Sequence, residues 1–340
     1  MNNINVLVTG IGGPIAQGVI QGLKKRDDVT IIGADRRSVT AGHHFCDHAY
    51  KVPRYSDKKA YLNALKDIEK NEAIDIIFPS LHEEVLIFDE HRNDFDALIA
   101  IPTSDNFPLL MDKESTYQKM EEEGLSKFVP VYKSFNSSDE LKQIKNNLFK
   151  EESKFVVKSV DSYASVGFAV LTNKENYIKA LRNGCKNIIS LDDYYEANLS
   201  GERKIAMEYF SGKEYSIDVM VHNKKMITAV PRERNGVSNN IVLDGKVVYH
   251  EKLIEAAKEI TEKLINSGFI NIQFMESDGE YKLTDINPRF CGSQVMSLGA
   301  GVNFPSLFIE YNFLFNHPAV NPVWNVRMLR FRDQVFINEE

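Results

Sequence analysis

The opening third of the chain alternates two hydrophobic periods, and that alternation limits the fold more than any other feature. Short apolar runs at residues 4–8, 29–34, 74–79 and 97–102 are rich in β-branched residues and too short for helices. Between them the apolar residues recur at helical spacing: Ile15, Val19, Ile20 and Leu23, then Tyr61, Leu62, Leu65 and Ile68. Strands joined through helices pair in parallel. The expected class is α/β, opening with a doubly wound sheet whose carboxyl strand ends carry function.

The first strand runs into Thr9-Gly10-Ile11-Gly12-Gly13-Pro14, and the second ends at Asp35. Pro14 suits the first turn of a helix, where its missing N–H costs nothing. Strand, glycine loop, helix, strand and Asp form the outline of a dinucleotide site, but Gly-x-Gly-Gly-x-Ile lacks the last glycine of that fingerprint. A nicotinamide-dependent oxidoreductase is therefore one reading, and a tight turn seating a helix on a sheet is the other. His82, Glu83 and Glu84 follow the third strand, at an end where function is expected. Ser80 and Glu83 also read as a capping box, so the role of His82 and Glu83 stays open between helix start and ligand.

Near the far end, residues 269–274 alternate, Glu276-Ser277-Asp278-Gly279-Glu280 reads as a turn, and Leu283-Thr284-Asp285-Ile286-Asn287-Pro288-Arg289 follows. Two strands on a tight turn would place Gln273, Asp285 and Asn287 on neighbouring backbones. Residues two apart on a strand share a face. A carboxylate and two amides suit Mg²⁺, a hard cation that takes oxygen ligands, with Mn²⁺ as an admissible substitute. Pro288 ends the strand, and Arg289 adds a fixed cation of the kind phosphate chemistry uses.

The stretch between supplies candidate partners. Asp112 caps a helix that begins at Lys113, where a cation opposes the helix dipole; it is either a solvated surface lysine or part of an anion site. Lys158 ends a strand before the small-residue loop at 161–167, which includes Ser165 and Gly167; a phosphate flap and a plain hairpin both fit. Backbone at Glu208, Tyr209 and Phe210 can read an adenine edge, and Glu214 either holds ribose hydroxyls or is one of the acids on a solvated strand face. From Tyr215 to Val221 the odd residues are apolar, leaving Glu214, Ser216 and Asp218 on the other face. Arg232 and Arg234 follow Pro231 at an expected strand end and form either a surface ion-pair cluster or an anion clamp. The apolar segment 304–315 is either a core helix or an interface.

Composition excludes several classes. Of 340 residues 43% are hydrophobic and 26% charged, with a net charge of −7, as in a globular protein with a real core. No basic block points to nucleic acid or an anionic membrane, and no run is long enough to span a bilayer. Three scattered cysteines and no basic leader argue for a reducing, cytoplasmic setting. Assembly is open, with a homodimer among the options.

In this order the motifs resemble the ATP-grasp superfamily, most closely the carboxylate–amine ligases related to the carbamoyl phosphate synthase large subunit. The resemblance rests on residues 10–13, Asp112-Lys113, Val157-Lys158, the Glu-Tyr-x-x-Gly-x-Glu pattern from Glu208 to Glu214, and Gln273 through Asp285, Asn287, Pro288 and Arg289. It implies a Rossmann-like pre-ATP-grasp domain at 1–110, a lid subdomain at 111–206 and a C-terminal α+β subdomain at 207–335. It also implies ATP phosphates on Lys113 and Lys158 under the 161–167 lid, adenine at Glu208–Phe210 and ribose at Glu214. Mg²⁺ would sit at Asp285 and Asn287 near Gln273, with Arg289 and Arg232 or Arg234 on the transferred phosphate and acyl group. The activity implied is amide formation from a small carboxylate and an amine through an acyl phosphate, with a non-catalytic ATP-binding sensor on the same fold as the alternative. Asp stands at position 285 where many members carry Glu.

Overall fold

The computed structural model describes residues 3–161, 167–197, 201–238, 241–331 and 333–337. The chain begins with β1 (Ile4–Thr9), α1 (Pro14–Leu23), β2 (Val29–Asp35), β3 (His48–Lys51), α2 (Lys58–Glu72), β4 (Ile76–Phe78), α3 (Glu84–Glu90) and β5 (Leu98–Ile99). Next come α4 (Lys113–Glu122), β6 (Tyr132–Phe135), α5 (Ser138–Asn147), β7 (Lys154–Ser159), β8 (Ala169–Thr172), α6 (Lys174–Arg182), β9 (Ile188–Ser190), α7 (Leu191–Glu196) and β10 (Lys204–Glu208). The last part holds β11 (Glu214–His222), β12 (Lys225–Ser238), β13 (Ile241–Val247), α8 (Glu251–Leu264), β14 (Gly268–Ser277), β15 (Glu280–Asn287), α9 (Val295–Gly299), α10 (Phe304–Asn312) and β16 (Arg327–Leu329).

Two compact units emerge, neither continuous in sequence. Unit 1 is Met1–Pro108 with Glu214–Gln273 and Ile286–Glu340; unit 2 is Leu109–Lys213 with Phe274–Asp285. In unit 1 the opening segment forms the parallel sheet β3-β2-β1-β4-β5. Pro14 stands at the start of α1 as its fixed φ requires, and Asp57 caps α2 through Ala60 N–H. A second sheet has the order β15-β14-β11-β12-β13-β16. Its turn between β14 and β15 is Asp278-Gly279, with φ of 51° and 80°, the left-handed pair a two-residue hairpin demands. Helix α10 resolves the 304–315 alternative, because Phe304, Leu307, Phe308 and Ile309 are buried in the unit 1 core. Phe269 and Phe290 stack there at 4.4 Å.

Three expectations change. Residue Pro231 does not end its strand, since β12 continues to Ser238. A strand residue's N–H and C=O point the same way, and Pro231 O accepts from Val248 N–H, so the missing donor falls past the end of β13. Ser80 does not cap a helix: α3 starts at Glu84, and Ser80 instead donates its N–H to Thr9 Oγ1. The even residues of β11 do not face solvent, because Ser216, Asp218 and Met220 are as buried as the odd ones.

Unit 2 contains the sheet β6-β10-β7-β8-β9, antiparallel except for β8 beside β9. Its core gathers Phe135, Phe149, Phe155, Val157, Leu171 and Ala206. Helix α6 contributes little to that core, with Ala180 buried but Leu181 58% exposed.

Candidate active site

In unit 2 the two lysines meet one strand. Lys113 Nζ stands 3.4 Å from Asp285 Oδ1, and Lys158 Nζ donates to the neighbouring carbonyl of Thr284 at 3.2 Å. The local sequence explains the placement. Asp112 caps α4 through Ser115 N–H, while Lys113 N–H donates to Val160 O, tying the helix start to the end of the strand that carries Lys158. One turn on, the buried Tyr117 donates its hydroxyl to Leu283 O at 3.1 Å. Arg203 bonds both Asp112 and Glu114, and that contact had no signal in the sequence.

Glu208 spends its carboxylate on a residue distant in sequence, accepting from Val131 N–H at 2.7 Å just before β6. Beyond it, Tyr209 lines a cavity of about 580 Å³ with Gly212, Lys213 and the β14–β15 turn. Phe210 is buried beside it. Gly167 adopts φ +70°, where a side chain would be strained and where a Cβ would strike Ser159 Oγ. Ser165 lies outside the described residues.

Unit 1 holds the other candidates. Arg289 is buried; it donates Nη2 to Asn287 Oδ1 at 3.1 Å, Nη1 to Phe290 O, and Nε toward His82 Nδ1 at 3.4 Å. That contact calls for His82 to carry its proton on Nε2. The contact joins residues 207 apart in sequence. Glu83 accepts from Tyr55. Gln273 sits on β14, two residues beyond the buried Asn271.

The arginine clamp is reassigned. Arg232 is fully buried and bonded to an equally buried Asp218 at 2.6 Å, so it offers no charge to a ligand. Arg234 is paired with Glu214, the residue expected to hold ribose, so each occupies the other. The reason is register: Tyr215 pairs with Glu233 and Ser216 with Arg232, which sets the acid of one strand against the base of the next.

At the switch point between β1 and β4 the crevice is filled. Asp35 accepts from Gly12 N–H at 2.9 Å and from the Arg37 guanidinium. Burial pushes its carboxyl up, but the Arg37 and Gly12 donors outweigh this and hold it at about 2. A Cβ on Gly12 would lie 2.1 Å from Arg37, and one on Gly10 would strike Leu81. A dinucleotide needs that loop's N–H groups and the acid for itself, so the geometry opposes the nicotinamide reading. Beneath the crevice Glu84 is fully enclosed, accepting from Thr9, Tyr61 and Leu81 N–H, and burial raises its carboxyl to about 7. Glu84 was expected at a functional strand end with His82 and Glu83; its inward turn had no local signal.

The comparisons bear on this arrangement. Residues 201–330 match the family described as ATP-grasp in the biosynthetic pathway with Ter operon, and residues 6–101 match the PylC-like N-terminal domain. No curated protein matches the chain in sequence. Among solved structures, the ADP complex of N5-carboxyaminoimidazole ribonucleotide synthetase (purK) superposes with a TM-score of 0.70 at 17% identity, covering 97% of this chain and 82% of that one. Biotin carboxylase from Campylobacter jejuni gives 0.65 at 15% identity, covering 96% and 74%. The L-amino acid ligase from Bacillus licheniformis gives 0.61 at 13%, covering 91% and 74%. The ATP-grasp match thus covers residues 201–330, and the superpositions show that the chain as a whole shares the fold of these structures. Its fold is the ATP-grasp fold preceded by a Rossmann-like domain, and among the described residues no helix is long and apolar enough to cross a membrane.

Proposed function

We propose that this chain is an ATP-dependent carboxylate–amine ligase that forms an amide and releases ADP and phosphate. One observation carries the reading: Lys113 and Lys158 bring two ammonium groups to consecutive residues of β15, Asp285 and Thr284, just before Asn287 and Arg289. Cations gathered around one carboxylate and one amide are the apparatus for polyphosphate, whose transfer depends on positioning and charge compensation. ATP-bound and ADP-bound structures of the same fold support the nucleotide.

The donor set fits a hard divalent cation. Asp285 and Asn287 offer oxygens already turned toward Lys113 and Arg289, so both are held facing positive charge. Together with Gln273 they would hold Mg²⁺, which neutralises phosphate charge when bound. A substrate carboxylate oxygen attacks the γ-phosphorus, the bond to the β,γ-bridging oxygen breaks, and ADP leaves. The lysines hold the phosphates in line, and Arg289 steadies the transferred group. An amine nitrogen then attacks the acyl carbon, loses a proton, and phosphate departs. His82 and Glu83 line the acceptor side, with Gly12 and Asp35 shaping its wall through Arg37. The lid expected at 161–167 falls at positions 162–166 outside the described residues. We place the adenine at Tyr209 and Phe210.

ADP release by the purified chain, across a panel of carboxylates and amines with MgATP, tests the reading. Stimulation by one pair is expected, and Asn287→Ala is expected to abolish it. A variant that kept full Mg²⁺-dependent turnover would refute the metal assignment. Binding of ATP with no turnover of any pair would favour a nucleotide sensor.

A further inference from the structure

We propose that Asp218 is a positioning residue, holding the loop that carries Arg289 in register with the strands that carry Gln273 and Arg234; this rests on the ligase reading above. The side chain is wholly enclosed in unit 1 and gathers donors from four directions. Oδ1 accepts from Arg232 Nη2 at 2.6 Å, Asn271 Nδ2 at 2.9 Å and Cys291 Sγ at 3.4 Å, and Oδ2 accepts from Ser297 Oγ at 2.7 Å. Arg232 then donates Nη1 to Ser293 O, so the carboxylate grips the loop after β15 twice, directly and through the guanidinium.

Spacing turns this cluster into a template. Asn271 lies two residues before Gln273 on β14, and Arg232 two before Arg234 on β12. Asp218 lies four beyond Glu214 on β11. Steps of two and four keep to one face of a strand, and β14, β11 and β12 are adjacent in the sheet. Each strand therefore presents a buried network member on the same face as a candidate site residue. Cys291 is two residues past Arg289. A buried ion pair is a poor source of stability, because removing two charges from water offsets their attraction, and a well-packed apolar pair often does as well. Arg232 Nε has no partner among the described residues, which also speaks against an arrangement selected for stability alone. What the pair supplies is one permitted placement of four elements.

The test uses the full chain with Asp218→Asn, which keeps the shape and removes the charge. With the carboxylate–amine pair that releases ADP from wild type, kcat is expected to fall about 100-fold, the cost of displacing a catalytic group by about 1 Å. KM for MgATP should stay within about twofold, since the lysines lie elsewhere. The double variant Asp218→Asn with Arg232→Met removes both buried charges; melting temperature should recover while kcat stays low. Recovery of kcat with stability would overturn the proposal, as would a single variant within about threefold of wild type. Ser297→Ala, which loses one donor and keeps the pair, serves if Asp218→Asn does not fold: a several-fold fall in kcat at unchanged melting temperature is expected, and unchanged kcat overturns it.

A second readout needs no turnover. In a background with Cys46→Ser and Cys185→Ser, alkylation of the buried Cys291 reports movement of the loop. Its rate should rise about tenfold in the charge-free double variant, even with stability restored. A thiol that stays as protected as in the parent overturns the proposal, whereas a wild type that turns over no substrate pair overturns only the ligase reading.

Discussion

Lys113 Nζ lies 3.4 Å from Asp285 Oδ1, and Lys158 Nζ donates to the carbonyl of the preceding residue, Thr284, so the carboxylate we propose as a metal ligand already faces a cation. Lys113→Met removes that charge while keeping most of the side-chain volume. MgATP affinity should fall about tenfold, the scale of one charge-assisted hydrogen bond. Calorimetric titration checks it; unchanged affinity would take Lys113 out of the nucleotide site.

Acid stability should depend on Arg37. Asp35 titrates at about 2 in the fold against an ordinary 3.8, so its contribution is present above that ordinary value and lost as pH falls toward about 2. In Arg37→Ala the folded value should move back up. Urea unfolding should then show lower stability at neutral pH and a shallower loss between about pH 4 and pH 2. An unaltered slope would mean the backbone N–H groups of Gly12 and residue 37 hold the carboxylate without the guanidinium.

Glu84 works in the opposite sense. Its folded carboxyl titrates at about 7 against 4.5, so the folded chain binds the extra proton; stability is fullest below 4.5 and declines as pH rises through about 7. Glu84→Gln keeps a partner for Thr9 and Tyr61 but carries no charge. Its stability relative to wild type should improve from about pH 5 to about pH 8, as read by melting temperature. A constant difference would show that Glu84 does not titrate there.

NADH fluorescence should not be enhanced by the wild-type chain, because Asp35, Arg37 and Leu81 occupy the glycine loop. Enhancement that survived competition by ATP would restore the oxidoreductase reading.

Much of the candidate site was legible because its motifs are local. Asp285, Asn287 and Arg289 declare themselves by strand spacing and a terminating proline, and Asp112 announces the helix that presents Lys113. Arg232 and Arg234 were visible as residues and misread as a pair. Their fate depended on which strand β12 lies against, and Pro231, which locally reads as a stop, becomes harmless at a position where no ladder donor is needed.

Alternating periods determined the α/β class, the parallel opening sheet and the order of the motifs, because hydrophobic spacing specifies element type before any packing occurs. Only the tertiary structure decided which charges are spent on each other. Asp218 looks like a solvated strand acid until β14, β12, α9 and the loop after β15 close around it. Burial and ion pairing depend on neighbours distant in sequence, and a carboxylate's role changes with whether water or an arginine stands beside it.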